Sequence, residues 1–209
     1  MNSQTRRFQV AGPAGLIEVL RDEPAPDLTP RGIAVIAHPH PLFGGTMDNK
    51  VVQTLARAFV QSGWSAVRFN FRGVGATQGT HDEGRGELED MLALVGDQAR
   101  EGALAIAGFS FGGFVAGGAV KALWPSGRIK KIVLVGTSAQ KHSLAPLPSE
   151  AHDGTLVIHG EQDETVPLTA VLDWARPQSL PVTVAPGVGH FFHGQLPLLK
   201  NLVARHLRS

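Results

Sequence analysis

The pentapeptide Gly108-Phe109-Ser110-Phe111-Gly112 restricts this chain more than any other stretch of it. Ahead of it, Leu104, Ala105, Ile106 and Ala107 form an apolar run that predicts a short buried strand, and from Phe114 onward the sequence predicts a helix. A G-x-S-x-G turn between a strand and a helix is so tight that its central residue takes a strained backbone conformation, and the positions two before and two after it must lack side chains. Gly108 and Gly112 meet that need. Ser110 is then pushed out at the mouth of the sheet, while the backbone N–H of Phe111 points where an oxyanion would form. A serine held this way is placed to attack a carbonyl.

Residues 103–120 carry no charge and approach the length of a membrane span, about 20 residues. Five glycines, a serine near the middle and a strand-like first half predict a buried strand and helix instead.

The elements on either side fit the same plan. Residues 8–10 and 16–20 are short apolar runs around Ala-Gly-Pro-Ala-Gly, which predicts an antiparallel hairpin. GIAVIA at 32–37 reads as a strand buried on both faces of a mostly parallel sheet. From Asp48, Val51, Val52, Leu55 and Phe59 recur at helical spacing up to Gly63. Strands follow at 64–71, 130–135, 155–159 and 182–185, and helices around Leu88–Val95, at 168–175 and at 196–207. Regular alternation after an opening hairpin predicts an α/β fold with helices on both faces. The segment 137–154 is too short and too little periodic to hold a cap domain.

At 209 residues the chain is expected to form one domain, 1–209, with a core large enough to need no disulfides. Cysteine is absent, which excludes a thiol nucleophile and any cysteine-built zinc site. Nineteen basic against 18 acidic residues, with no basic tract, give no sign of nucleic acid or an anionic membrane as partner. No apolar core of signal-peptide length precedes Gly12, so the expected location is the cytoplasm. The loop Arg72-Gly73-Val74-Gly75-Ala76-Thr77-Gln78-Gly79 fails as a dinucleotide fingerprint, because its third glycine is one residue late and acidic sequence precedes the next helix. His38 and His40 form an H-x-H pair, but Leu42 and Phe43 stand where a zinc site would place its acid and third histidine. No metal or cofactor is expected.

A serine hydroxyl becomes a good nucleophile only when a histidine takes its proton and a carboxylate stabilises the imidazolium. Asp163 follows the strand ending at His159, and His190 follows the strand ending near Ala185. Ser110, Asp163 and His190 thus each lie beyond a strand end, in the order Ser, Asp, His. With these motifs, the whole chain resembles the α/β-hydrolase superfamily. The AHPHPLFGGTMDNK and NFRGVGATQG loops and the missing cap are similar to small bacterial hydrolases related to dienelactone hydrolases and carboxylesterases. Dienelactone hydrolases carry cysteine at the elbow; Ser110 here points to ordinary ester hydrolysis.

The resemblance implies Ser110 as nucleophile, His190 as base and Asp163 as the acid. Glu161 and Glu164 read as solvated loop charges beside Asp163, and the G-x-G-H turn favours His190 over His193. The alternative acid position, after the preceding strand, holds Gly136-Thr137-Ser138 and no carboxylate. A second oxyanion donor is expected from the loop after GIAVIA; Pro39 and Pro41 have no N–H, which leaves His40, with Leu42 as the fallback. His38 reads as a loop brace. Leu42, Phe43, Phe109 and Phe191 are the expected substrate-binding residues, with Phe111 and Phe192 adding apolar lining. The implied activity is a serine esterase acting on a short acyl substrate. The alternatives are a thioesterase or peptidase on the same residues, or a binding protein on a hydrolase fold. The sequence does not set the oligomeric state.

Overall fold

The computed structural model describes residues 5–208. The predicted domain bounds, 1–209, include residues 1–4 and 209, which lie outside the described residues.

Strands β1 (Arg6–Gly12) and β2 (Gly15–Asp22) form the predicted hairpin, paired antiparallel from Arg6 opposite Arg21 to Gly12 opposite Gly15. The chain continues through β3 (Gly32–Ala37), α1 (Lys50–Gln61), β4 (Trp64–Phe69), α2 (Arg85–Gln98), β5 (Leu104–Phe109), α3 (Phe111–Leu123) and β6 (Ile129–Val135). It ends with β7 (Thr155–Gly160), α4 (Leu168–Ala175), β8 (Val182–Ala185) and α5 (Leu196–Arg208). The eight strands make one sheet in the order β1-β2-β4-β3-β5-β6-β7-β8. β2 pairs antiparallel with both β1 and β4, and the pairings from β4 through β8 are parallel.

Every residue of β5 is buried, as expected of a strand covered on both faces. Val51, Leu55 and Phe59 of α1 and Leu199, Val203 and Leu207 of α5 pack against one face. Met91 and Leu94 of α2, Val115 and Ala119 of α3 and Val171 of α4 pack against the other. Asn49 starts α1 by accepting the Val51 N–H on its side chain, 2.9 Å away, which satisfies a donor that has no partner inside the helix.

The differences from the sequence expectation that bear on the site lie at the junction of β5 with α3 and at the end of β4. β5 runs to Phe109 and α3 begins at Phe111, so helix follows strand with Ser110 alone between them. β4 stops at Phe69, because from Asn70 the chain turns into a loop tied to β2: Asn70 N–H donates to the Glu18 carbonyl, and its side chain donates to the Glu18 carboxylate. Between β6 and β7 the chain forms one six-residue 3-10 helix, Ser149–Gly154, and the described residues build no cap domain. No helix among the described residues is long and apolar enough to cross a membrane.

Candidate active site

Ser110 has φ 58° and ψ −118°, a left-handed conformation forced on a residue with a Cβ. Its neighbours hold it there. Ser110 N–H donates to the Val135 carbonyl at 2.9 Å, and the Ser110 carbonyl accepts from the N–H groups of Gly113 at 2.9 Å and Ser138 at 3.2 Å. A Cβ at Gly108 would meet the Gly112 carbonyl, and one at Gly112 would meet the carbonyls of Ala37 and His38. The turn closes only because both positions lack side chains.

β5 carries Ser110 at its end, β7 leads into Asp163 and β8 leads into His190, so three separated segments meet beyond the carboxyl ends of parallel strands. Nε2 of His190 lies 3.0 Å from Oγ of Ser110, and Nδ1 of His190 lies 2.6 Å from Oδ2 of Asp163. An ionised carboxylate only accepts, so the imidazole proton sits on Nδ1 and Nε2 turns a lone pair toward the serine hydroxyl. The other oxygen of Asp163, Oδ1, accepts from the N–H groups of Thr165 at 2.9 Å and Val166 at 2.7 Å. All three side chains are buried, with Ser110 7% exposed. Glu161 instead accepts from the Gly187 N–H on the exposed side of its loop, and no hydrogen bond joins His193 to this group among the described residues.

The loop after β3 holds the remaining pieces. His38 is fully buried, donates from Nδ1 to the Pro39 carbonyl at 2.6 Å and accepts the Phe71 N–H on Nε2 at 2.9 Å. It braces the loop, and burial pushes its pKa down to about 3. The Leu42 N–H is directed at Nδ1 of His40, 3.3 Å away. Among the described residues, the N–H groups of His40 and of Phe111, which heads α3, make no hydrogen bond within the chain. No group of three or more His, Asp or Glu side chains is arranged to hold a metal ion among the described residues.

The expected apolar lining divides in two. Leu42, Phe43 and Phe191 are exposed, at 67%, 78% and 43%. Phe109, Phe111 and Phe192 are buried among the core residues. Phe109 points under the imidazole of His190, ring centroids 4.8 Å apart, and Phe111 is enclosed by the rings of His40, Phe71, His81 and His142. This gathering of His40, His81 and His142 from three loops had no signal in the sequence, since the three lie far apart along the chain. Burial lowers the pKa of His40 and His142. A cleft of about 330 Å³ exists elsewhere, lined by Asp22, Gln53, Arg57 and Arg68 among others, and includes none of these residues.

No protein-family model matches the sequence. Among solved structures, XC6422 from Xanthomonas campestris, an α/β serine hydrolase without a lid, is 34% identical, with a TM-score of 0.86 over 100% of this chain and 95% of that one. An α/β serine hydrolase homologue from Coxiella burnetii is 36% identical, with a TM-score of 0.83 over 99% of this chain and 98% of that one. An uncharacterized protein of Rickettsia prowazekii (strain Madrid E) is 40% identical over 109 residues, 50% of this chain and 45% of its own length, so the match spans under half of that curated relative.

Proposed function

The chain belongs to the α/β-hydrolase superfamily, and we propose that it works there as a serine hydrolase cleaving short-chain carboxylic esters through Ser110, His190 and Asp163. The observation that carries this reading is the continuous hydrogen-bonded line from Oγ of Ser110 through the His190 ring to Oδ2 of Asp163, at 3.0 and 2.6 Å. A buried serine of purely structural use would have no need of a histidine with a fixed tautomer.

Oγ of Ser110 attacks the ester carbonyl carbon while Nε2 of His190 takes its proton, and the imidazolium is stabilised by the Asp163 carboxylate. The oxyanion is received by the Phe111 and His40 N–H groups; the Leu42 N–H, occupied by the His40 ring, is the weaker candidate. Each such donor is worth on the order of 3 kcal/mol to the transition state. The tetrahedral intermediate collapses by breaking the bond to the alkoxy oxygen, to which His190 returns the proton, and alcohol leaves. Water then attacks the acyl-enzyme with His190 again as base, freeing the acid and Ser110.

The exposed side chains of Leu42, Phe43 and Phe191 offer the acyl group an apolar surface. The same chemistry serves thioesters and amides. The test is steady-state kinetics on p-nitrophenyl esters of graded acyl length, with a matched thioester and amide, for the parent and Ser110→Ala. Turnover highest on short esters and lost in Ser110→Ala is the expected result. Equal turnover by both proteins would refute it, and a parent inert to the whole panel would favour a binding protein.

A further inference from the structure

His159 closes β7 with its side chain fully buried, and nothing in the reaction just described uses it. Its Nε2 lies 2.8 Å from the Val166 carbonyl and 3.4 Å from Oδ2 of Asp163, the same oxygen that His190 contacts. A carbonyl oxygen only accepts, so the proton of the neutral ring is on Nε2 and is donated to the Val166 carbonyl, while Oδ2 of Asp163 is close by without a hydrogen bond to it. Burial lowers the pKa of His159, which keeps the ring neutral.

Nδ1 of His159 is buried with no hydrogen-bond partner among the described residues. An unsatisfied buried nitrogen costs stability, and an apolar side chain would avoid that cost. The histidine is therefore present for its other nitrogen. The Val166 carbonyl it holds belongs to the residue whose N–H donates to Oδ1 of Asp163 at 2.7 Å. One side chain thus clamps the turn 163–166 from the strand side, while the backbone of that turn clamps the carboxylate.

We infer that His159 is a positioning residue: its Nε2–H, donated to the Val166 carbonyl, fixes the turn that aims the carboxylate at His190. The inference rests on the proposed roles of Ser110, His190 and Asp163. His159 touches no substrate; it acts through Asp163 by holding the acceptor in line with the Nδ1–H it must meet at 2.6 Å.

The test compares the parent with His159→Phe, which keeps the ring and loses the donor, and His159→Gln, whose amide can reach the Val166 carbonyl as Nε2 does. In His159→Phe, kcat on p-nitrophenyl acetate should fall about 10- to 100-fold, the scale of a small misplacement in a catalytic group. KM should stay within about twofold, since ground-state binding is untouched. The far-downfield proton resonance of the His190 Nδ1–H, bonded to Asp163, should broaden or move upfield in His159→Phe and return, with most of kcat, in His159→Gln. A His159→Phe protein with parental kcat and an unmoved resonance would overturn the inference. Nitrogen-15 spectra of the parent test it without any variant: His159 should carry its proton on Nε2 throughout the range in which the enzyme is active, and a proton on Nδ1 would overturn it. Esterase activity surviving in Ser110→Ala would instead remove the reading beneath it, while the resonance, which does not involve the serine, would still report on His159.

Discussion

Gly136, the first residue after β6, lies directly against the imidazole of His190: a Cβ there would come within 3.2 Å of Cε1 and 3.3 Å of Nδ1. Gly136 also has φ +51°, where a side chain is disfavoured. Gly136→Ala should therefore cost stability by about 1 kcal/mol from the backbone alone. By displacing the ring it should also lower kcat about 10-fold. Thermal denaturation and p-nitrophenyl acetate kinetics on one preparation separate the two effects; unchanged kcat would mean that the imidazole position is not critical.

Asp163→Asn keeps the shape of the turn, because the amide oxygen can still accept from Thr165 and Val166. Its NH2 group then faces Nδ1 of His190, which must become an acceptor, and the proton moves to Nε2. A ring with its proton on Nε2 cannot take one from Ser110, so kcat should fall by about 10⁴ with little loss of folded protein. A fall below tenfold would remove Asp163 from its proposed role.

His38 ties stability to pH. In the folded protein it takes up a proton only near pH 3, whereas in the unfolded chain it does so near the ordinary value of 6.5. Between those values the unfolded state binds the extra proton, so the contribution is full above about pH 6.5 and lost as pH falls toward 3, at up to about 1.4 kcal/mol per pH unit. His206, lowered to about 4 by burial, acts in the same direction. Urea unfolding between pH 7 and 4 should show stability falling with acid, with a slope shallower by about one proton in His38→Gln. An identical slope in that variant would contradict the buried neutral state of His38.

Much of this architecture was legible because periodicity carries it. GIAVIA, the 168–175 helix and the 182–185 strand stand where the pattern put them, since each is a short apolar run with a glycine or proline beside it. The start of α3 was not, because Gly112 and Gly113 are poor helix formers and only the packing of the elbow makes them helical. The order Ser110, Asp163, His190 was readable, but not which flanking phenylalanines would be exposed: a pocket wall and a core use the same residues. Phe109 and Phe111 lie on either side of the elbow, and both are covered. The buried pairing of Arg68 with Asp22 at 2.8 Å was invisible as well, since an arginine in a strand gives no sequence sign of a partner on a neighbouring strand. His159 could have been noticed as a strand-end histidine four residues ahead of the candidate acid.

Phe43 is 78% exposed beside the proposed site, so Phe43→Ser should change stability by less than about 0.5 kcal/mol. If its ring supports the acyl chain, KM should rise with acyl length in the variant and stay near parental for acetate. Matched butyrate and acetate kinetics check this; parallel changes on both esters would place the acyl group elsewhere.

The most direct test of the account is covalent capture of the nucleophile. A fluorophosphonate probe followed by peptide mass mapping should place a single adduct on Ser110 in the parent, slow the labelling sharply in His190→Ala, and leave Ser110→Ala unlabelled. Labelling of Ser110→Ala at the parental rate, or an adduct on another residue of the parent, would contradict it.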